Sequence, residues 1–194
     1  MPIATAKVGF LAAVTSVVSV LLMSLGATAQ EAQKAEYYQA QAMGQGTQLG
    51  QTFNVTILVQ EYSTPEERQA LVDAFEKGGS QGLFNALSKM TSKGRMKITG
   101  TLGYDISFIR KITTADGIKI RALTNRPITI GEAWTDSRSM DYNLSAIELV
   151  LSDDKGKSTG TLLPACQFSI DKATHELQIE NYQNPWKLVD VLVR

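Results

Sequence analysis

The sequence predicts a mainly β, single-domain protein. The expected architecture is an antiparallel β-sandwich or partly closed barrel, with a two-helix hairpin inserted after the first strand. Three observations predict it. From residue 95 onward apolar residues recur at every second position in short runs, the period of half-buried strands. Asp, Asn, Gly and Pro separate those runs in connections too short for a crossover, which forces neighbouring strands to be antiparallel. Helical spacing interrupts the rhythm once, over 64–90.

The elements follow in order. Residues 1–29 have the layout of a secretory signal peptide: Lys7, an uncharged apolar run over 8–25, then Ala27-Thr28-Ala29 before a cleavage expected between Ala29 and Gln30. The rival reading is an uncleaved anchor, because a run of about 18 residues is close to the roughly 17–25 a spanning helix needs. Thr15, Ser16, Ser19 and Ser24 weaken that reading. No later segment is long and apolar enough to span, so no stable membrane insertion is expected after cleavage. Residues 30–51 are rich in Gln, Ala and Gly and read as a flexible lead, with weak helical character over 31–43. The β-rich domain is expected over 52–194.

A strand is predicted over 51–61, with Phe53, Val55, Ile57 and Val59 on one face. Thr64-Pro65-Glu66-Glu67 then starts a helix: Thr64 caps, Pro65 fits the first turn and Glu67 closes a capping box. Leu71, Ala74 and Phe75 form its stripe, and Gly78-Gly79 end it. A second short helix over 81–90 carries Leu83, Phe84 and Leu87, completing the helical hairpin 64–90. Further strands are predicted over 96–101, 104–114 (alternating apart from Arg110), 118–123 after an Asp116-Gly117 turn, a short edge strand over 128–130, then 142–151, 159–170, 175–182 and 186–193. Asp153-Asp154-Lys155-Gly156-Lys157, Asp171-Lys172-Ala173-Thr174 and Asn184-Pro185 read as turns.

Charge bounds the partners. The chain holds 19 basic and 19 acidic side chains, and loss of Lys7 with residues 1–29 leaves 18 against 19. A near-neutral domain has no electrostatic footprint for nucleic acid or anionic lipid. One cysteine, Cys166, allows no intrachain disulfide, so an exported domain must rely on packing; its apolar setting reads as a buried, inert thiol. A nitrogen/sulfur zinc site is disfavoured by a single His and a single Cys, and no cofactor or metal is called for. The acids of the turns are read as turn formers rather than a calcium loop.

Gly78-Gly79-Ser80-Gln81-Gly82 spells the nucleophile-elbow pattern, but it follows a helix where the mechanism needs a strand. His175, its only histidine partner, opens a predicted strand and reads as a solvated strand end. The segment 125–142 holds the candidate ligand-binding residues: Arg126, Glu132, Trp134, Asp136, Arg138, Asp141 and Tyr142, with Tyr104 able to face them. Acids beside aromatics suit glycan contact or general acid–base work; the alternative is a loop pinned by Arg–carboxylate pairs.

The stretches Tyr62-Ser63-Thr64-Pro65-Glu66-Glu67-Arg68, Leu102-Gly103-Tyr104-Asp105, Thr124-Asn125-Arg126-Pro127-Ile128, Arg138-Ser139-Met140-Asp141-Tyr142, Ile147-Glu148-Leu149 and Ile179-Glu180-Asn181-Tyr182 together resemble an uncharacterised family of secreted bacterial proteins, chiefly of Acidobacteria-type soil organisms. The resemblance runs from Phe53 to the C-terminus. It implies export and a single domain, and carries no activity, ligand or catalytic residue.

The sequence therefore leads to an exported, periplasmic or extracellular, non-enzymatic domain binding a small molecule, a glycan or an envelope protein. One alternative is a secreted hydrolase using the acids of the 132–141 loop. Another is a structural or assembly module whose contact surface is the helical hairpin.

Overall fold

The computed structural model describes residues 34–115, 117–128, 130, 143–154 and 157–194, all within the compact unit Gln33–Arg194. The signal peptide 1–29, the first residues of the lead, most of the 125–142 segment, Asp116 and the Lys155-Gly156 pair lie outside the described residues.

Nine strands and one helix follow one another: β1 (Glu36–Gly44), β2 (Thr52–Val59), α1 (Pro65–Leu87), β3 (Gly94–Ile98), β4 (Tyr104–Thr114), β5 (Gly117–Thr124), β6 (Leu144–Leu151), β7 (Thr159–Asp171), β8 (Glu176–Gln183) and β9 (Trp186–Val193). They form a single antiparallel sheet in the order β6-β5-β4-β3-β2-β1-β9-β7-β8, and β6 also pairs with β7. The pairings through β7, β9 and β1 thus return to β6, while β8 hangs on the far half of β7.

Each face of the sheet carries an apolar cluster. On one, Tyr38, Val55, Ile57, Met96, Ile106, Ile109, Ile120, Ile147, Leu149, Trp186 and Leu188 pack together from strands alone. On the other, Phe108, Leu123, Leu144, Leu163, Cys166 and Phe168 are covered by Leu71, Leu83 and Leu87 of α1. Strand β4 serves both because its register shifts between Ile106 and Phe108, a bulge that turns successive apolar residues to opposite faces.

The mainly β class holds, with four adjustments. First, the stretch expected as a flexible lead contains β1, hydrogen-bonded to β2 on one side and β9 on the other. Its buried positions are Tyr38, Ala40, Ala42 and Gly44, so it alternates, but mostly with residues too small to register as an apolar run. Second, the stretch expected as a hairpin over 64–90 holds one helical element, Pro65–Leu87, with non-helical dihedrals at Gly78 and Gly79, so the expected stop is present as an internal break. After it the chain bends sharply back: a Cβ on Gly82 would lie 2.1 Å from the Ala74 carbonyl oxygen. Third, Ile128 and Ile130 are not in a strand. Ile128 is instead buried, its N–H donating to the Ser145 hydroxyl at 2.8 Å.

The fourth concerns Asn184-Pro185, which does not reverse the chain. Gln183 pairs with Ala165 and Trp186 with Leu162, so β8 and β9 run on in one direction along β7. Pro185 and Pro164 both lack an N–H, and both fall where β7 changes partner from β9 to β8. There the β6–β7 register also shifts, and the Ser145 hydroxyl donates to the Pro164 carbonyl at 2.6 Å.

Candidate functional site

The corner between β2 and α1 is fixed by a buried cation. Lys93 Nζ reaches Glu61 at 2.8 Å and Glu67 at 2.9 Å, one carboxylate on each side of the corner. Burial alone would lower its pKa, but the hydrogen bonds it donates to Glu61 and Glu67, with their charges, outweigh that and raise it. Glu67 also accepts from the Thr64 N–H at 2.9 Å while Thr64 caps the Glu67 N–H at 3.2 Å, so the predicted capping box is formed. Ser63 pairs with Ile109 through N–H to carbonyl at 2.7 Å, laying the corner along β4.

This corner and β4 enclose a crevice of about 330 Å³ lined by Tyr62, Ser63, Thr64, Pro65, Arg68, Phe108, Arg110 and Lys111. Arg68 and Arg110 share the single carboxylate of Glu176 on β8, at 3.3 and 2.8 Å. The Arg110 hydrogen bond, reinforced by the charges of Arg110, Arg68 and Arg121, holds the Glu176 pKa below its usual value. Beside them Arg121 is matched with Glu148 at 2.7 Å and donates to the Leu177 carbonyl at 2.9 Å. Beneath the arginines Leu71, Phe108, Leu123, Phe168 and Leu177 form an apolar floor.

At the other lip Lys111 lies 3.5 Å from Glu36 and 5.4 Å from the centre of the Tyr62 ring. Glu36 also accepts the hydroxyls of Tyr38 and, at 2.8 Å, Tyr62. Burial opposes ionisation of Glu36, yet the tyrosine hydrogen bonds and Lys111 lower its pKa overall. Burial and the Glu36 charge push the Tyr62 phenol up to about 12, and burial with the Glu36 hydrogen bond raises Tyr38 further. Around the crevice, then, Arg68, Arg110 and Lys111 face the carboxylates of Glu176 and Glu36, while at the corner Lys93 faces those of Glu61 and Glu67, so the charges balance and the guanidiniums lie on one side.

Of the eight residues the sequence nominates, Arg126 and Tyr104 are described, and they meet. The Arg126 guanidinium lies 5.2 Å from the centre of the Tyr104 ring and donates to the Gly103 carbonyl at 3.2 Å. Glu132, Trp134, Asp136, Arg138, Asp141 and Tyr142 lie outside the described residues. The crevice residues were not nominated. One signal for them was legible: Arg110 is the charged residue that interrupts the alternation of β4.

The other motifs have structural settings. Ser80 sits inside α1 beside its break, with no strand leading into it. His175, in the left-handed region at φ 53°, is exposed at the β7–β8 turn and lies 3.7 Å from Glu76. Asp171 caps the same turn by accepting the Ala173 and Thr174 N–H groups. Cys166 is buried, donates to the Leu144 carbonyl at 3.5 Å, and has its pKa raised by burial. Among the described residues no helix is long and apolar enough to cross a membrane.

No family model, curated protein or solved structure matches the chain.

Proposed function

We propose that this chain is an exported β-barrel domain that binds an organic anion, a carboxylate or phosphate on an apolar body, in the crevice between α1 and β4, and holds it without turning it over. The observation that carries the reading is the pair of guanidiniums, Arg68 and Arg110, which both line the crevice and share the one carboxylate of Glu176. A fork-shaped guanidinium with unfilled donors is suited to a planar or tetrahedral oxyanion. Phe108 and Pro65 supply an apolar wall for the rest of the ligand.

Binding without turnover is supported by the direction of the pKa shifts. Glu36 and Glu176 are driven down and Tyr62 up, all away from neutrality, whereas a general acid or base works best near the operating pH. The barrel reading is supported by the return of the strand pairings to β6. Export, to periplasm or exterior, is supported by Lys7, the apolar run and Ala27-Thr28-Ala29, and by the resemblance to secreted bacterial proteins.

Titration calorimetry with octanoate, octyl phosphate and inorganic phosphate tests the reading and separates its ligand sources. One amphiphilic anion is expected to bind, more weakly at high salt. Arg110→Gln is expected to weaken it about tenfold, or ~1.4 kcal/mol. Arg95→Gln, which breaks an exposed pair with Asp105, serves as the control that leaves affinity unchanged. An Arg110→Gln protein that binds like the parent, or a parent that binds none of the three anions, overturns it.

A further inference from the structure

On the outer face of β9, β1 and β2, away from α1, lies an open trough of about 490 Å³ lined by Gln39, Gln41, Asn54, Thr56, Asp190 and Leu192. Its floor is built by register. Gln39 stands between Thr56 and Leu192, and Gln41 between Asn54 and Val189, in two rows across three strands. The β1–β9 register shifts between Gln39 and Gln41. Asp190, at φ 50°, occupies the resulting bulge in the left-handed region. Bulges re-aim side chains. Asp190 thereby adds a carboxylate to the lining of the trough.

We infer that this trough is a second binding site, for a neutral polyhydroxylated ligand of the saccharide class. Five features select that chemistry. The side chains of Gln39, Gln41, Asn54, Thr56 and Asp190 have no hydrogen-bond partner among the described residues, in contrast to the paired charges of the crevice. Amides both donate and accept and a carboxylate accepts strongly, which matches hydroxyl groups that do both. No Lys or Arg lines the trough, and Asp190 repels anions, so the ligand of the crevice is the wrong chemistry for this face. The backbone of the floor is already paired on both sides of β1, so an added peptide strand finds no free ladder and a ligand must be read by side chains. Leu192 and Tyr37, exposed on the same side of β1 as Gln39, give an apolar flank for the C–H face of a sugar ring. The volume falls within the roughly 300–1,000 Å³ usual for small-molecule sites.

The test is a titration of the 15N-labelled protein with cellobiose, maltose and N,N′-diacetylchitobiose, followed by amide chemical shifts. At least one is expected to shift the Gln39, Gln41, Asn54 and Asp190 signals with a Kd in the range of about 1 mM. Gln41→Ala is expected to weaken that response severalfold. Asp190→Gly should do the same while folding at least as well, because glycine accepts the left-handed backbone. Octanoate and octyl phosphate titrations of both variants are expected to match the parent, so failure of the trough and failure of the crevice read out separately. The inference is overturned if no disaccharide shifts these signals at about 50 mM. It is equally overturned if the two variants respond as the parent does, or if the shifts depend on protein concentration and sedimentation shows the face closed by a second copy.

Discussion

Glu176 is one carboxylate serving two guanidiniums, and that sets how the fold answers to acid. Its folded-state pKa is lowered, chiefly by the Arg110 hydrogen bond. In the unfolded chain a glutamate titrates near about 4.3. Between those values the unfolded state binds more protons, so stability rises with pH there. The contribution is fully present above the unfolded value and is lost as pH falls through the folded one. Glu176 is partly exposed, so its worth is of order 1 kcal/mol at most. Urea midpoints from pH 7 down to about 3 should decline, and Glu176→Gln should flatten the decline. Ser145 acts by hydrogen bonding rather than charge. Its buried hydroxyl accepts from Ile128 and donates to Pro164, tying the segment after β5 to the proline step of β7. Ser145→Ala leaves a buried N–H without its partner and is expected to cost about 1–3 kcal/mol in urea unfolding. Neither role is legible locally. Arg110 stands out as a charge in an apolar alternation, but Arg68 and Glu176 are 108 positions apart and meet only when β8 is laid beside α1.

Among the elements, α1 is the one whose start the sequence states in full: Thr64, Pro65 and Glu67 take the predicted cap positions. Its interior is set by Gly82 instead, where the bend after Gly79 brings the backbone onto the Ala74 carbonyl. Gly82→Val forces a branched side chain into that contact and is expected to destabilise by about 2 kcal/mol, within the range for overpacking. Thermal melting measures it, and anion affinity should fall in parallel, since Arg68 shares with Ala74 the half of α1 that Gly82 meets. Strand β1 shows the opposite limit. Alanine and glutamine have little strand preference, and the inward positions after Tyr38 are Ala40, Ala42 and Gly44. Composition therefore reads as a lead, and only pairing on both sides makes it a strand. Asn184-Pro185 misleads for a related reason: the dipeptide signals a turn, and the structure uses it as a step within one long path along β7. Six of the eight nominated residues lie outside the described residues, and of the charged residues lining the crevice the sequence set apart Arg110, by its break in an apolar alternation.

For the whole molecule, the position of β1 makes it decisive. It stands between β2 and β9, and those two strands have no pairing with each other. Without it the run of pairings through β7 and β9 stops short of β2, two strands gain unpaired edges, and the strand-only core loses Tyr38 and Ala42. Exposed edges of that kind recruit other chains, so the loss should convert a cooperatively folding chain into an aggregating one. A chain beginning at Lys34 keeps the whole of β1 and is expected to melt in one cooperative transition. A chain beginning at Gln45 lacks only that strand from the described fold. It is expected to show no cooperative melt by circular dichroism and to elute as aggregate in size-exclusion chromatography. The shorter chain separates two views of the Gln-rich stretch. If it were a lead, its removal would leave the midpoint within a degree or two, since surface deletions seldom exceed about 0.5 kcal/mol. As the strand that joins β2 to β9, its removal takes away buried core and two ladders at once, a loss comparable to the roughly 5–15 kcal/mol that holds a domain of this size together. A cooperative, monomeric melt from the Gln45 chain would mean that β9 and β2 can be left apart without cost, and the closed set of pairings would no longer account for the stability of the fold.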